Sequence, residues 1–188
     1  MGPSPLLRNS GSALSLPLLL RLLAGEPAEM AALQAVFEAT PRYFEAVCGT
    51  PPGPAEAQST FTAIPPGGRY EDKYVWGLYA GDTMLGVADV IRGWNAPEKA
   101  TIGLLLIAEP WQRRGLGHAF STLVEDAIRT WPEITTLRIG VVASNPAALA
   151  FWQRLGYRET GEVKVATPPF VADTIVLEKR LVRRERVE

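Results

Sequence analysis

One stretch decides the fold, and it reads Gln112-Arg113-Arg114-Gly115-Leu116-Gly117-His118, residues 112–118. It follows an apolar run at residues 102–107 and opens an amphipathic run that continues to Trp131. Glycines in the first turn of a helix let the backbone approach a ligand and leave several N–H groups without a partner inside the helix. Together with the helix dipole and the two arginines, these groups suit a phosphate. The stretch therefore predicts a strand, an anion-binding loop and a helix.

Two common phosphate-binding motifs do not match this loop. The dinucleotide fingerprint G-x-G-x-x-G needs a glycine where the chain has Phe120, and the P-loop needs Gly-Lys-Ser/Thr where it has Gly117-His118-Ala119. Taken alone, the loop is also compatible with an ordinary strand-to-helix turn.

The residues on either side predict an α/β protein, an α+β mixed sheet with helices on its faces. Alternating or continuous apolar runs predict seven strands, at residues 16–23, 73–80, 83–94, 99–108, 137–142, 157–166 and 173–182. Helices are expected from Pro27 with a continuation beyond Pro41, at residues 56–64, from Leu116 to a stop at Pro132, and after an Asn145 cap. Residues 1–15 are predicted to be a flexible tail, and residues 16–188 one domain.

Charge and cysteine content narrow the class of protein. The 188 residues carry 19 Lys and Arg against 20 Asp and Glu, which favours no nucleic-acid or membrane partner. Cys48 is the single cysteine, so no disulfide can form within the chain and a reducing cytoplasm is expected. The apolar run at residues 14–24 is interrupted by Pro17 and Arg21, and no convincing cleavage site follows.

The motif Q-x-x-G-x-G between an apolar strand and an amphipathic helix resembles the pyrophosphate-binding signature of the GNAT family of acetyltransferases. Residues 142–148 (VASNPAA), then Phe151-Trp152 and Leu155-Gly156-Tyr157, resemble that family's strand, asparagine, helix and Gly-aromatic ending. The resemblance extends over residues 16–181. It implies the GNAT fold: a central mixed, mostly antiparallel sheet of about seven strands, splayed near the cofactor, with about four helices on its faces.

By this resemblance the cosubstrate is acetyl-CoA (coenzyme A after transfer), and no metal is needed. Amides of residues 113–118 would bind the pyrophosphate, and the backbone of Leu105 and Ile107 would pair with the pantetheine arm. An N–H at or near Ile107, on a bulged part of the strand, would stabilise the developing oxyanion. The implied cofactor-binding residues are Leu105, Ile107, Gln112, Arg113, Arg114, Gly115, Leu116, Gly117, His118, Asn145 and Trp152.

The acceptor side departs from part of the family. Members that resemble the protein N-terminal acetyltransferases have a glutamate and a tyrosine where this chain has Gly140 and Trp152. Trp152 is expected to pack against the cofactor or the core. Asp89 is the candidate base, because it interrupts an apolar strand; a solvent-facing strand position explains it equally well. Glu109, next to the loop at residues 112–118, is either a further candidate base or a carboxylate that caps this loop.

Five aromatic residues occupy positions of acceptor-site walls in the family or, by default, of the core: Tyr43, Phe44, Tyr70, Tyr79 and Trp94. The function implied is acetyl transfer from acetyl-CoA to a primary amine of a small molecule, by direct attack in a ternary complex. A domain that senses acyl-CoA without catalysis and an acetyltransferase for protein or peptide amines are the alternatives. The sequence leaves open whether the protein forms a homodimer.

Overall fold

The computed structural model describes residues 16–182, so the tail predicted at residues 1–15 lies outside the described part of the chain. One sheet forms its centre, in the strand order β1-β2-β3-β4-β5-β7-β6. Neighbouring strands are antiparallel except β4 and β5, which confirms the mixed, mostly antiparallel sheet of seven strands. The strands are β1 (Leu18–Leu22), β2 (Lys73–Ala80), β3 (Thr83–Arg92), β4 (Lys99–Ile107), β5 (Thr136–Val142), β6 (Arg158–Lys164) and β7 (Thr174–Arg180).

Five α-helices occur within residues 16–182, one more than expected. The predicted continuation beyond Pro41 is a separate helix, because Thr40 leaves the helical region at φ −133° and Pro41 starts the next helix. The Thr40 hydroxyl donates to the carbonyl of Val36 at 2.7 Å and so closes the first helix. The helices are α1 (Pro27–Glu38), α2 (Pro41–Cys48), α3 (Glu56–Thr62), α4 (Leu116–Ile128) and α5 (Pro146–Arg154).

Helices cover both faces of the sheet. Trp76 of β2 stacks on Trp131, just beyond α4, and Tyr74 packs against the same ring at a tilt of 45°. Lys73 and Val75, their neighbours in the same strand, line a cleft with Phe61 of α3. Because successive side chains of a strand point to opposite faces, α3 and the end of α4 lie on opposite sides of the sheet. None of the helices within residues 16–182 has the length and apolar character needed to cross a bilayer.

The sheet is open between β4 and β5. Residues 99–102 of β4 pair with residues 136–139 of β5, and no further pairs join these strands. β4 continues to Ile107 and β5 to Val142, so residues 103–107 have a strand partner, β3, on one side only. We call the opening between these two strand ends the β4–β5 gap.

A β-bulge lies at Gly103, in the middle of β4. Asp89 opposes Leu104 and Val90 opposes Ile102, which leaves Gly103 as the extra residue. The bulge was expected at or near Ile107 and lies instead at Gly103, since Ile107 pairs with Gly86 in an uninterrupted register. A residue without a Cβ readily takes the irregular position of a bulge, and Gly103 is such a residue in β4.

Candidate functional site

The outer edge of β4 presents backbone groups to the β4–β5 gap. The N–H of Ala108 donates to the carbonyl of Leu85 at 2.9 Å, so it points toward β3. Hydrogen-bonding directions alternate along a strand. The backbone groups of Leu105 and Ile107 consequently point away from β3 and into the gap. These are the two residues that the resemblance assigns to the pantetheine arm.

Backbone N–H groups gather where β4 leads into α4. Gly115 at φ 78° and Arg113 at φ 63° both adopt the left-handed conformation, which turns the chain sharply before the helix. The first bond inside α4 joins the N–H of Ala119 to the carbonyl of Gly115 at 3.2 Å. The N–H groups of residues 116–118 thus emerge from the helix end, where they can bind an anion.

The N–H groups of residues 116–118 and the turn before them form what we call the amide cradle, and the side chains around it leave it accessible. Arg113, Arg114 and His118 are exposed, and the guanidinium of Arg114 lies 5.5 Å from the ring centre of buried Trp111. A Cβ built on Gly115 would meet no atom within 4 Å. Leu116 contributes its amide here, while its side chain is buried in the core. Arginine side chains and helix-end amides are groups that commonly bind phosphate in proteins.

Phe151 of α5 borders the same cradle. A Cβ built on Gly117 would lie 3.4 Å from the Phe151 ring, so the glycine allows α5 to pack closely against the start of α4. Sequence reasoning noted Phe151 only as part of a family pattern. Its neighbour Trp152 is 7% exposed and packs edge-on against Tyr157, with ring centres 5.0 Å apart. Trp152 therefore lies in the core, and little of its surface is left for a ligand.

Asn145 caps α5, as its position before Pro146 predicts. Its side-chain oxygen accepts a hydrogen bond from the N–H of Ala148 at 3.1 Å. This cap accounts for the asparagine structurally.

Gln112 links the loop to the end of β4. Its side-chain amide donates to the carbonyl of Ile107 at 2.7 Å, which occupies one backbone group that faces the gap. The structure thus gives Gln112 a role in holding the strand end, in addition to its place in the predicted cofactor-binding set.

Replacing Gln112 by alanine should lower the free energy of unfolding of the ligand-free protein by about 1 kcal/mol, since one hydrogen bond is lost. Urea titration followed by circular dichroism measures this change. Gln58→Ala, at an exposed position of α3, is the matched control and should leave the midpoint unchanged. Equal midpoints for both variants would show that the bond to Ile107 contributes nothing to stability.

Asp89 lies beside the bulge and forms an ion pair. Its carboxylate oxygens are 2.7 and 2.8 Å from the Nζ of Lys73, and a Cβ built on Gly103 would be 3.9 Å from Oδ2. The side chains of Asp89 and Lys73 are 18% and 5% exposed. Burial raises the pKa of Asp89 above its ordinary value, while the charge and hydrogen bonds of Lys73 oppose that rise.

Sequence reasoning missed Lys73, although a lysine at the start of an apolar strand was a visible signal. Asp89, the predicted base, is thus a largely buried carboxylate beside the bulge and paired with Lys73, rather than a freely solvated one.

Glu109 is occupied elsewhere. Its carboxylate accepts a hydrogen bond from the N–H of Arg42 at 3.0 Å, at the start of α2, and its own N–H donates to the carbonyl of Ala39. Of the two roles considered for Glu109, the structure shows a capping role, in which it fastens the loop after β4 to α2.

The five aromatic candidates lie in four different environments. Phe44 and Tyr79 are buried in the core. Burial raises the pKa of Tyr43 to about 12, so its phenol stays protonated at neutral pH. Trp94 donates to the carbonyl of Pro66 at 3.1 Å and has the Nζ of Lys164 5.0 Å from its ring centre. Tyr70 is 64% exposed and lines the cleft beside Lys73.

This cleft, which we call the Lys73 cleft, has a volume of about 190 Å³. Its walls come from β1, α3, β2 and the segment before β2, and consist of Leu22, Leu23, Phe61, Tyr70, Lys73, Tyr74 and Val75. The cleft was not foreseen from the sequence, because its walls are far apart along the chain.

Several solved structures with similar folds are acetyltransferases. An acetyltransferase from Thermus thermophilus is 27% identical, with a TM-score of 0.67 over 88% of this chain and 98% of that one. The ribosomal-protein-S18-alanine N-acetyltransferase from Escherichia coli is 19% identical, with a TM-score of 0.63 over 92% of this chain and 99% of that one. An aminoglycoside acetyltransferase in complex with coenzyme A is 18% identical, with a TM-score of 0.66 over 87% and 95%.

A comparison with curated protein sequences gives no match. The sequence model of the Acetyltransferase (GNAT) family matches residues 33–157, which include β4, the amide cradle and the Asn145 helix. This match spans more than half of the chain and agrees with the splayed sheet and the similar structures, so the chain belongs to the GNAT acetyltransferase family.

Proposed function

We propose that this protein transfers the acetyl group of acetyl-CoA to a primary amine of a small molecule. The observation that carries the proposal is the unpaired outer edge of β4, which opens onto the β4–β5 gap. This edge leads from the bulge beside Asp89 along Leu105 and Ile107 to the amide cradle of α4. An extended ligand with an anionic end would lie along this path, which we call the groove.

The residues along the groove fit coenzyme A. The cradle amides with Arg113 and Arg114 would bind its diphosphate, and the edge of β4 would pair with the amides of its pantetheine arm as an added strand would. An aminoglycoside acetyltransferase and a Bacillus subtilis acetyltransferase, both similar in fold, form complexes with coenzyme A, which supports coenzyme A as the ligand. When bound, acetyl-CoA supplies the acetyl group as a thioester.

Asp89 would take a proton from the ammonium form of the acceptor. The neutral amine nitrogen then forms a bond to the acetyl carbon, and the carbon–sulfur bond breaks. The nitrogen releases its surplus proton to water, and the departing thiolate takes a proton from water, so that the products are the acetylated amine and the free thiol of coenzyme A. Negative charge develops on the acetyl oxygen during attack and needs a hydrogen-bond donor. The Leu105 N–H is closer to Asp89 in the strand register than the Ile107 N–H predicted for this role, so we assign the contact to Leu105 and keep Ile107 for the pantetheine arm.

Incubation with acetyl-CoA and a panel of amines tests the proposal. Release of free coenzyme A thiol should depend on the added amine, and mass spectrometry should find the amine heavier by one acetyl group. The panel should contain small amines, polyamines, an aminoglycoside and a lysine-containing peptide.

Two other outcomes identify the alternatives. Binding of acetyl-CoA without amine-dependent thiol release would favour an acyl-CoA sensor, for which the Gly140 and Trp152 positions give some reason. Acetylation of the peptide alone would indicate a protein acetyltransferase, as the similar fold of the ribosomal-protein enzyme allows.

A further inference from the structure

The Lys73 cleft lies next to the candidate base and on the same face of the sheet. Lys73 both lines the cleft and holds the Asp89 carboxylate. Val75, another wall residue, pairs directly with Asp89 across β2 and β3. Asp89 in turn pairs with Leu104 of β4. The cleft is therefore two strand spacings, about 10 Å, from the bulged part of β4.

The walls of the cleft favour an apolar group. Leu22, Leu23, Phe61 and Val75 offer hydrocarbon surface, and Tyr70 adds the face of its ring. The Tyr70 hydroxyl donates to the carbonyl of Thr62 at 2.9 Å, which fixes that ring against the end of α3. Concave sites with mostly apolar walls and a few polar groups are typical of small-molecule binding.

Among the described residues that line the cleft, Lys73 alone is charged, and its charge opposes a second cation. The Lys73 ammonium lies between the cleft and Asp89, and its side chain is 5% exposed. An acceptor with two ammonium groups would have to place one of them beside this charge once Asp89 has bound the other. Like charges at close range in a partly buried site repel strongly.

We propose that the Lys73 cleft binds the apolar substituent of the acceptor, and that the acceptor is a primary monoamine with an aromatic or branched aliphatic group on a short spacer. This inference rests on the proposed function, because it assigns the amine end of the acceptor to Asp89. About 10 Å between cleft and bulge calls for a spacer of a few bonds between the amine and its apolar group.

Three probe amines test this inference: phenethylamine, ethylamine and spermidine. Phenethylamine should have the highest kcat/KM for amine-dependent thiol release and spermidine the lowest. Isothermal titration calorimetry should also show that N-acetylphenethylamine binds to the protein without acetyl-CoA and that N-acetylethylamine does not.

Two leucines of β1 provide a matched pair of variants. Leu22 lines the cleft and is 58% exposed, whereas Leu19 is 44% exposed and does not line it. Leu22→Trp should lower kcat/KM for phenethylamine by about tenfold or more, since burial of a ring is worth more than 1.4 kcal/mol, and should leave ethylamine unaffected. Leu19→Trp should affect neither amine. Tyr70→Ala, at an exposed wall position, is the second test and should weaken phenethylamine selectively.

Equal effects of Leu22→Trp and Leu19→Trp on phenethylamine would overturn the inference, as would spermidine being the best acceptor. Either result leaves the proposed function intact, because amines are still acetylated. If none of the amines in the panel stimulates thiol release, the proposed function itself is overturned, and this inference with it.

Discussion

Replacing Gly115 by glutamate should abolish coenzyme A binding and leave the fold intact. A Cβ at Gly115 meets no atom within 4 Å, so the new side chain has room, and its carboxylate stands among the amides that would hold the diphosphate. Repulsion between the two anions, in place of amide hydrogen bonds, should weaken binding by at least about a hundredfold, or 2.7 kcal/mol. Isothermal titration calorimetry with coenzyme A measures the change.

Gly67 provides a matched control. It has the same φ, 78°, and a Cβ there also meets no atom within 4 Å, yet it lies in the turn before β2, away from α4. Gly67→Glu therefore imposes similar backbone strain, of order 1 kcal/mol, without a charge in the cradle. We expect coenzyme A affinity to be unchanged in Gly67→Glu. Unchanged affinity in Gly115→Glu would refute the placement of the diphosphate at α4.

Replacing Asp89 by asparagine should reduce kcat by about a hundredfold or more, because the amide cannot take a proton from the amine. Affinity for coenzyme A should not change, since Asp89 belongs to β3 and the pantetheine arm would pair with the opposite edge of β4. Initial rates at saturating acetyl-CoA, followed by thiol release, measure the effect. Glu178→Gln is the control. This variant also loses ion pairs, those of Glu178 with Lys99 and Arg138, but at a position that is not next to the bulge. The kcat of this variant should stay close to that of the unchanged protein.

The pH dependence of the rate gives a second measure of Asp89. Burial raises its pKa, and Lys73 opposes the rise. As the pH falls through that pKa, the carboxylate is protonated and the rate should fall. Lys73→Met removes the opposing charge, so the pKa should rise further and the acidic limb should move to higher pH. An acidic limb that persists in Asp89→Asn would exclude this carboxylate as the base.

The donor side of the site could be predicted from sequence because its chemistry is local. The cradle, the strand before it and the Asn145 cap each depend on residues a few positions apart, where spacing alone fixes the geometry. The seven strands could be predicted for the same reason, because each is marked by a local apolar pattern. The bulge was misplaced because its position depends on the pairing of β3 with β4, and no pattern within β4 fixes that register.

The acceptor side could not be predicted in the same way. Lys73 meets Asp89 across a strand pair, and Phe61 meets Leu22 across several elements. Such contacts depend on how α3 and β1 pack onto the sheet, which the order of elements does not determine. Asp89 stood out because it interrupts an apolar run, whereas its partner and the cleft beside it became visible only in the folded chain.

The short seam between β4 and β5 also makes the sheet mechanically uneven. Four residue pairs hold strands β1–β4 to strands β5–β7, so thermal opening at the seam breaks few hydrogen bonds. A pantetheine arm along β4 would add hydrogen bonds at the part of β4 that does not pair with β5. We therefore expect saturation with coenzyme A to slow amide hydrogen exchange throughout β5 as well as at Leu105 and Ile107, and to stabilise the protein by about 2.7 kcal/mol at a hundredfold excess over Kd. Coenzyme A bound along β4 would therefore also stiffen the sheet to which it binds.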